Sequence, residues 1–107
     1  MAYKNKQDLY AAQQKHRDRN HQNMWEILEK SSCIDCGIKD ARVLEFDHRP
    51  EEEKKFDISR AISGSTRSWQ SIKLEINKCD IVCSNCHRIR TMERANYKRN
   101  KSYNMPM

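Results

Sequence analysis

The feature that most constrains this chain is a pair of Cys-x-x-Cys motifs, one at residues 33–36 and the other at residues 83–86. Four thiolates are a complete tetrahedral set for one structural Zn²⁺ ion. The alternative is four free thiols with no metal. The sequence predicts that zinc clamps two distant turns of the chain together through four ligands: Cys33, Cys36, Cys83 and Cys86.

The composition favours a domain that needs such a clamp. Of the 107 residues, 36% are hydrophobic and 34% are charged, so one small domain of this kind buries little apolar surface. No apolar signal segment opens the chain, and no run approaches the ~20 apolar residues of a membrane span. We therefore expect a cytoplasmic location without a membrane partner, where paired Cys-x-x-Cys motifs favour zinc over disulfides.

The charge balance points to a polyanionic partner. The formal net charge is +6, and the isoelectric point is near 9.2. Such a balance suggests nucleic acid before a membrane surface. The alternative is that the basic residues only keep a small domain soluble.

The N-terminal part of the chain predicts a long helix. Residues 3–30 contain neither Pro nor Gly, and residues 13–23 contain no apolar side chain. A helix that is polar all round does not pack on a core, so this span is expected to stay clear of it. Its basic side chains either follow a phosphate backbone or remain in solvent: Lys15, Arg17 and Arg19.

The middle of the chain mixes short strands, loops and one helix. Alternating apolar residues predict a strand over residues 42–46, and residues 55–59 predict a short strand or an apolar plug. Residues 63–68 predict a loop. Residues 69–78 predict a helix whose core face, formed by Trp69, Ile72 and Ile76, extends to Cys79. That fifth cysteine is expected to be a buried apolar residue, or alternatively a zinc ligand.

A strand at residues 81–82 and a final helix complete the prediction. The helix is expected to be capped by Ser84 or Asn85 and to run to about residue 96, with Ile89 and Met92 facing inward. Its arginines are expected to face outward: Arg88, Arg90 and Arg94.

A second group of residues could hold a divalent cation. Asp47 and His48 are adjacent at a strand end, so their side chains should point to opposite sides of the sheet. His87 follows a predicted zinc ligand on the first turn of a helix. Asp47 and His87 offer an oxygen and a nitrogen to a divalent ion, with positions left for water and a phosphate oxygen. An imidazole titrates near neutral pH, so His48 is suited to deprotonating water.

Residues 43–48 and 79–88 together resemble the HNH endonucleases, the ββα-metal nucleases, and in particular the small phage and bacterial members with two zinc knuckles. The resemblance implies an α+β fold: a small zinc-stabilised, treble-clef-like ββα-metal domain with an N-terminal basic helix. The predicted organisation is a basic helical segment at 1–30, the nuclease domain at 31–100 and a tail at 101–107.

The resemblance also implies a function for individual residues. Asp47 and His87 would hold a catalytic Mg²⁺ or Mn²⁺ ion, and His48 would activate the water that cleaves DNA. The candidates for phosphate contacts are Arg88, Arg90, Arg94, Lys15, Arg17 and Arg19. Contacts of this kind hold the DNA without reading its sequence.

One departure from the family leaves a role open. Where the family carries a central Asn that pins the loop of the general base, this chain has Lys78, with Asn77 beside it. The role passes to Asn77, to Lys78 or to Asp80. Because of this departure, a second function remains an alternative. It is a zinc-clamped DNA-binding or phage-assembly module without catalysis.

Several partners and states remain open at this point. A nuclease with one site would nick duplex DNA as a monomer, or cut both strands as a weak homodimer. A phage or host protein is a further candidate partner. A phage-encoded protein of this kind would act in the host cytoplasm.

Overall fold

The computed structural model describes residues 5–95, and within that range the chain is a mixed helix and sheet domain. The predicted tail at 101–107 and the predicted end of the last helix lie outside the described residues. The elements follow in this order: α1 (Lys6–Glu29), a 3₁₀ turn (Ala41–Val43), β1 (Leu44–His48), α2 (Ile58–Gly64), α3 (Trp69–Ile76), β2 (Cys79–Cys83) and α4 (Ser84–Arg94).

The two strands form an antiparallel pair that leads directly into a helix. Leu44 lies opposite Cys83, and His48 lies opposite Cys79. Helix α4 begins immediately after β2 and contacts both strands. Its N-cap is Cys83, not the expected Ser84 or Asn85, because the Cys83 Sγ accepts the Cys86 N–H at 3.5 Å. The result is a unit of two strands and one helix with a cysteine pair at its junction.

The first strand begins later than the sequence predicts. The expected strand at 42–46 is wrong at its start, because residues 41–43 form a 3₁₀ turn. Asp40 caps this turn by accepting the Arg42 N–H at 3.0 Å. The strand then continues through His48, so both Asp47 and His48 lie within the sheet.

The polar middle of α1 does pack against the domain, contrary to the prediction. Asn20 is only 2% exposed, and its Nδ2 donates to the Arg67 carbonyl oxygen at 3.1 Å. The His16 Nε2 lies 2.7 Å from the same oxygen. A hydrogen bond offsets the cost of burying an amide, so a polar side chain can dock a helix that has no apolar stripe there.

A short helix replaces the strand or loop predicted in the middle of the chain. Residues 58–64 form α2, so the strand alternative for 55–59 is wrong, while Phe56 and Ile58 do supply apolar contacts. Gly64 ends α2 and does not lie in the loop. The prediction of α3 is confirmed, and Ser68 caps it by accepting the Ser71 N–H at 3.2 Å.

Two small hydrophobic clusters form the core. The first surrounds the cysteine motifs and contains Leu28, Cys33, Leu44, Val82 and Cys83. The second lies between α2 and α3 and contains Ile58, Ala61, Ile62, Ile72 and Ile76, with Cys79 packed against it as the sequence suggested. Met24 and Phe46 pack against both clusters. We call these the zinc-side core and the helix-side core.

The inward face of α4 is polar, not apolar. Ile89 is 55% exposed, so its predicted inward orientation is wrong, and the helix has no buried residue. The side of α4 that faces the sheet instead carries His87, Arg90 and Arg94, which contact carboxylates of the body. These ion pairs supplement the apolar contact that Cys86 of α4 makes with the zinc-side core.

The helix-side core offers a direct test of the packing. Ile72 is fully buried on α3, whereas Leu74 on the same helix is 67% exposed. We expect Ile72→Ala to lower the free energy of unfolding by about 2–5 kcal/mol, because it removes buried methyl groups and leaves a cavity. The matched change Leu74→Ala should stay within about 0.5 kcal/mol of the wild type. Urea unfolding measures both, and equal losses in the two variants would contradict this placement of α3.

Candidate functional site

The four cysteines of the two motifs come together as the sequence predicts. Their ligand atoms all lie within 4.8 Å of one another, and the Sγ atoms of Cys36 and Cys83 are 3.7 Å apart. A tetrahedral zinc ion with Zn–S bonds near 2.3 Å requires sulfur atoms about 3.8 Å apart. The cluster can therefore hold a structural metal such as zinc.

The first cysteine turn is shaped by backbone groups. Gly37 has a φ of +84°, a left-handed conformation that favours glycine, and its N–H donates to the Cys33 carbonyl at 2.8 Å. Burial tends to raise the pKa of the Cys33 thiol, but the N–H groups of Cys83, Cys36 and Asp35 outweigh it and lower the pKa to about 6. These amides favour the thiolate that a metal binds.

The fifth cysteine does not join this cluster. Cys79 stands outside the group of four and places its Sγ 3.5 Å from the Glu75 carbonyl oxygen. Burial, followed by the charge of Glu75, raises the pKa of Cys79 to about 11. Cys79 is thus held as a neutral thiol beside the helix-side core.

Asp47 and His87 approach each other as expected for a shared cation. Asp47 is 3% exposed, and its Oδ1 lies 3.5 Å from the His87 Nε2. The other ring nitrogen of His87, Nδ1, lies 2.7 Å from Glu45 Oε1. Glu45 was not predicted, although it precedes Asp47 by two residues and therefore shares its face of the strand. Glu45 holds the orientation of the His87 ring.

Two arginines of α4 also bind Asp47. Arg94 donates to both carboxylate oxygens at 2.7 and 2.9 Å, and the Arg90 Nη1 donates to Oδ2 at 2.9 Å. Burial tends to raise the pKa of Asp47, but the hydrogen bonds from Arg94 and Arg90 outweigh it and lower the pKa below its usual range. Asp47 is therefore ionised, and a divalent ion at this carboxylate competes with two guanidinium groups.

Arg90 connects the first cysteine turn to Asp47. Its Nε and Nη2 donate to Asp35 at 2.7 and 2.8 Å, and its Nη1 donates to Asp80 at 2.9 Å as well as to Asp47. Asp35 lies between the two cysteines of the first motif. The turn that carries two of the four clustered cysteines is thus tied through one side chain to the Asp47 carboxylate.

The residues predicted to contact DNA divide into three groups. Arg90 and Arg94 bind carboxylates, so the outward orientation expected for both is wrong, and their side chains are 21% and 37% exposed. Arg17 is half-buried and donates to Gln14 at 3.2 Å. The remaining candidates are exposed to solvent: Lys15, Arg19 and Arg88.

His48 faces the opposite side of the sheet from Asp47, as predicted, and meets a carboxylate there. The His48 Nε2 lies 2.9 Å from Glu75 Oε2, and Glu75 is 1% exposed. The same oxygen accepts the Lys55 N–H at 2.9 Å, and Oε1 accepts from the Lys78 Nζ at 3.0 Å. Burial tends to raise the pKa of Glu75, but these three partners outweigh it and lower the pKa to about 2.

The three residues considered for the orienting role all contact the loop that follows His48. Arg49 donates through Nη2 to the Asn77 carbonyl at 2.6 Å, through its backbone N–H to the Lys78 carbonyl at 3.0 Å, and through Nη1 to Asp80 at 3.4 Å. None of these contacts reaches the imidazole, which is bound by Glu75. The sequence signal that was missed is a carboxylate on the apolar face of α3, between Ile72 and Ile76.

One cleft brings both sides of the strand into contact with solvent. It has a volume of about 580 Å³ and lies between the end of α1, β1, the start of α2 and the start of α4. Asp47, His48 and His87 all line it, and Trp25 and Lys54 stand on its walls. A ligand in this cleft can therefore contact Asp47, His87 and the His48 imidazole together.

Comparison of the chain with models of protein families, with curated proteins and with solved structures gave no match. None of the helices between residues 5 and 95 has the length and apolar character to cross a membrane. What the chain does must therefore be inferred from the residues of the site and their geometry.

The ionised Glu75 gives a prediction on pH. Its pKa is near 4.5 when free and about 2 in the folded chain, so it stabilises the fold above pH 4.5 and loses that contribution as the pH falls towards 2. We expect Glu75→Gln to be less stable than the wild type at pH 6 and the difference to shrink below pH 4.5. Urea midpoints across this range measure it, and a constant difference at every pH would contradict the prediction.

Proposed function

We propose that this chain is a metal-dependent DNA endonuclease of the HNH type, which hydrolyses phosphodiester bonds with His48 as general base. The observation that carries the proposal is the cleft in which Asp47 and His87 lie 3.5 Å apart while His48, next in sequence to Asp47, reaches the cleft from the other side of the strand. The order of β1, β2 and α4 around a four-cysteine cluster supports it, because it matches what the resemblance implies.

The donor set at Asp47 and His87 fits a divalent cation. A carboxylate oxygen and an imidazole nitrogen suit Mg²⁺ or Mn²⁺ when water and a phosphate oxygen complete the shell. Bound there, the ion would supply Lewis-acid stabilisation of the charge that develops on the phosphoryl group and on the leaving 3′ oxygen. The Glu45 carboxylate orients the His87 ring for this task.

His48 performs the proton transfer in this mechanism. Its imidazole takes a proton from the water that attacks phosphorus, and the bond from phosphorus to the 3′ oxygen breaks. The 3′ oxygen takes a proton from solvent and His48 releases its own to solvent, so the products carry a 5′ phosphate and a 3′ hydroxyl. Arg94 and Arg90 neutralise Asp47 in the DNA-free protein. A cation held by Asp47 would leave the Arg94 guanidinium free to bind phosphate oxygens of the DNA strand, whereas Arg90 would keep its bonds to Asp35 and Asp80.

A supercoiled-plasmid assay tests the proposal. Nicking by the zinc-loaded protein should require added Mg²⁺ or Mn²⁺. It should be lost in His87→Ala, in which DNA binding is retained because the change removes a cation ligand and not a phosphate contact. The control is His21→Ala, which changes the same residue type on α1, away from the cleft, and should nick as the wild type does. Nicking at the wild-type rate by His87→Ala would contradict the assigned cation site.

DNA binding itself should depend steeply on salt. Each cation that neutralises a phosphate adds about 0.9 to the slope of log affinity against log salt for duplex DNA. We expect a slope of several for the wild type and a slope smaller by about 1 for Arg88→Ala, because Arg88 is exposed on α4 beside the cleft-lining His87. Lys73→Ala removes the same charge from the exposed side of α3 and should leave the slope unchanged. A flat salt response would contradict the phosphate contacts.

A second candidate function is a zinc-clamped DNA-binding or phage-assembly module without catalysis. The observation that favours it is that both oxygens of Asp47 already bind guanidinium groups of α4. Ion pairs that are complete without a cation are what a purely structural site would contain. A folded, zinc-loaded protein that binds DNA with a steep salt slope but never nicks would favour the DNA-binding module, and weak DNA binding would favour the assembly module.

A further inference from the structure

Glu75 takes no part in the mechanism above, yet it is among the most deeply buried polar residues between positions 5 and 95. It lies on the apolar face of α3, where its neighbours on the helix, Ile72 and Ile76, belong to the helix-side core. A carboxylate costs free energy at such a position unless charged or hydrogen-bonded partners compensate. Three partners converge on Glu75, and one of them is the His48 imidazole.

We propose that Glu75 is a positioning residue, which holds His48 in the tautomer with the proton on Nε2, so that Nδ1 is the atom that takes the proton from water. This inference rests on the proposed nuclease function. It differs from the orienting roles considered for Asn77, Lys78 and Asp80, because Glu75 contacts the ring itself and those residues contact the loop behind it.

The chemistry of the contact fixes the tautomer. An ionised carboxylate can only accept hydrogen bonds, and a neutral imidazole has one N–H and one lone pair. At 2.9 Å from Glu75 Oε2, the Nε2 of His48 must therefore be the donor. The lone pair is left on Nδ1, and no protein group between residues 5 and 95 binds that atom. The base needs this lone pair to accept a proton.

The carboxylate is itself held in place. The Lys55 N–H binds the same oxygen as His48, and the Lys78 ammonium binds the other oxygen, so the carboxylate cannot rotate without losing a bond. Lys78 also donates to the Glu53 carbonyl at 2.8 Å. The residue that stands where the resemblance implies Asn thus supports the imidazole indirectly, through Glu75. A rigid contact of this kind fixes the direction of the base before DNA binds.

The tautomer can be measured without any nuclease assay. Long-range ¹H–¹⁵N NMR of the zinc-loaded wild type, at an alkaline pH where the imidazole is neutral, separates the two tautomers, and His48→Ala identifies the His48 signals by their loss. We expect His48 to carry its proton on Nε2 and Glu75→Gln to shift the ¹⁵N signals towards a mixture. A proton on Nδ1 in the wild type would overturn the proposal.

The plasmid assay then separates positioning from a structural role. We expect Glu75→Gln to lower the single-turnover nicking rate by about 10- to 100-fold, the loss typical of partners that orient a functional histidine, with unchanged affinity for DNA. Glu26→Gln changes the net charge equally on the exposed side of α1 and should nick at the wild-type rate. If Glu75→Gln does not fold, the His48 tautomer measured by NMR in the wild type tests the proposal alone.

The outcomes distinguish this inference from the function on which it rests. A wild type that nicks and a His48→Ala variant that does not, together with Glu75→Gln at the wild-type rate, would overturn the positioning role and leave the nuclease intact. A folded, zinc-loaded wild type that never nicks, with or without added Mg²⁺ or Mn²⁺, would overturn both.

Discussion

Stripping the metal from the four cysteines is expected to unfold the zinc-side core. Structural zinc binds small zinc-finger peptides with about 10–16 kcal/mol at neutral pH, which is as large as the whole stability of a typical domain. In this chain Cys33 and Cys83 are themselves members of that core, so the thiolates left without a metal would repel one another inside it. A chelator should therefore lower the melting temperature sharply and remove the near-ultraviolet circular dichroism of the folded state.

A pair of cysteine variants makes this test specific. Cys33→Ser should bind no zinc and should behave as the chelated wild type does. Cys79→Ala, which changes the one cysteine outside the cluster, should bind one zinc ion per chain and lose only about 1 kcal/mol of stability. Metal analysis and thermal unfolding measure both variants. A chelated protein that melts at the wild-type temperature would exclude a structural metal.

His48→Ala is expected to abolish most of the nicking activity. Loss of a general base typically lowers the rate by about 10²- to 10⁴-fold, and here the imidazole is the group that reaches the cleft from the Glu75 side. The DNA affinity should stay within about twofold of the wild type, because no phosphate contact is assigned to His48. Single-turnover nicking and a DNA titration under the same conditions separate the two effects.

The control for this variant is another histidine. His21→Ala removes an imidazole from α1 and should leave the rate unchanged. If His48→Ala nicks as fast as the wild type, His48 is not the general base. If neither protein nicks, the DNA-binding module without catalysis becomes the better account of the cleft. If both variants lose activity together, the loss reflects folding, and circular dichroism would show it.

The features that could be predicted from the sequence depend on local chemistry. The spacing within each Cys-x-x-Cys motif specifies a turn, and the preference of thiolates for one metal brings two distant turns together. The apolar period of α3 places Ile72 and Ile76 in the core. The approach of Asp47 to His87 follows as well, because β2 and the second motif hold α4 against the strand that carries Asp47.

The features that were missed depend on partners far along the chain. Glu75 and Asn20 look like surface residues in the sequence, and only the tertiary contacts with His48, Lys78 and Arg67 make their burial favourable. Arg90 looks like a phosphate contact until Asp35, Asp47 and Asp80 are found around it. A helix as short as α2 spans about two turns, which is too few for a helical repeat of apolar residues to be recognised in the sequence.

The two side chains shared by the cores make the domain a single cooperative unit. Met24 and Phe46 pack against both the zinc-side and the helix-side cores, so neither half can melt while the other keeps all its contacts. Phe46 also lies between Glu45 and Asp47 on β1 and lines the cleft. Metal occupancy at the cysteines would thus be thermodynamically linked to the shape of the cleft. Scarcity of that metal would then distort the cleft without any change in the residues proposed to perform the chemistry.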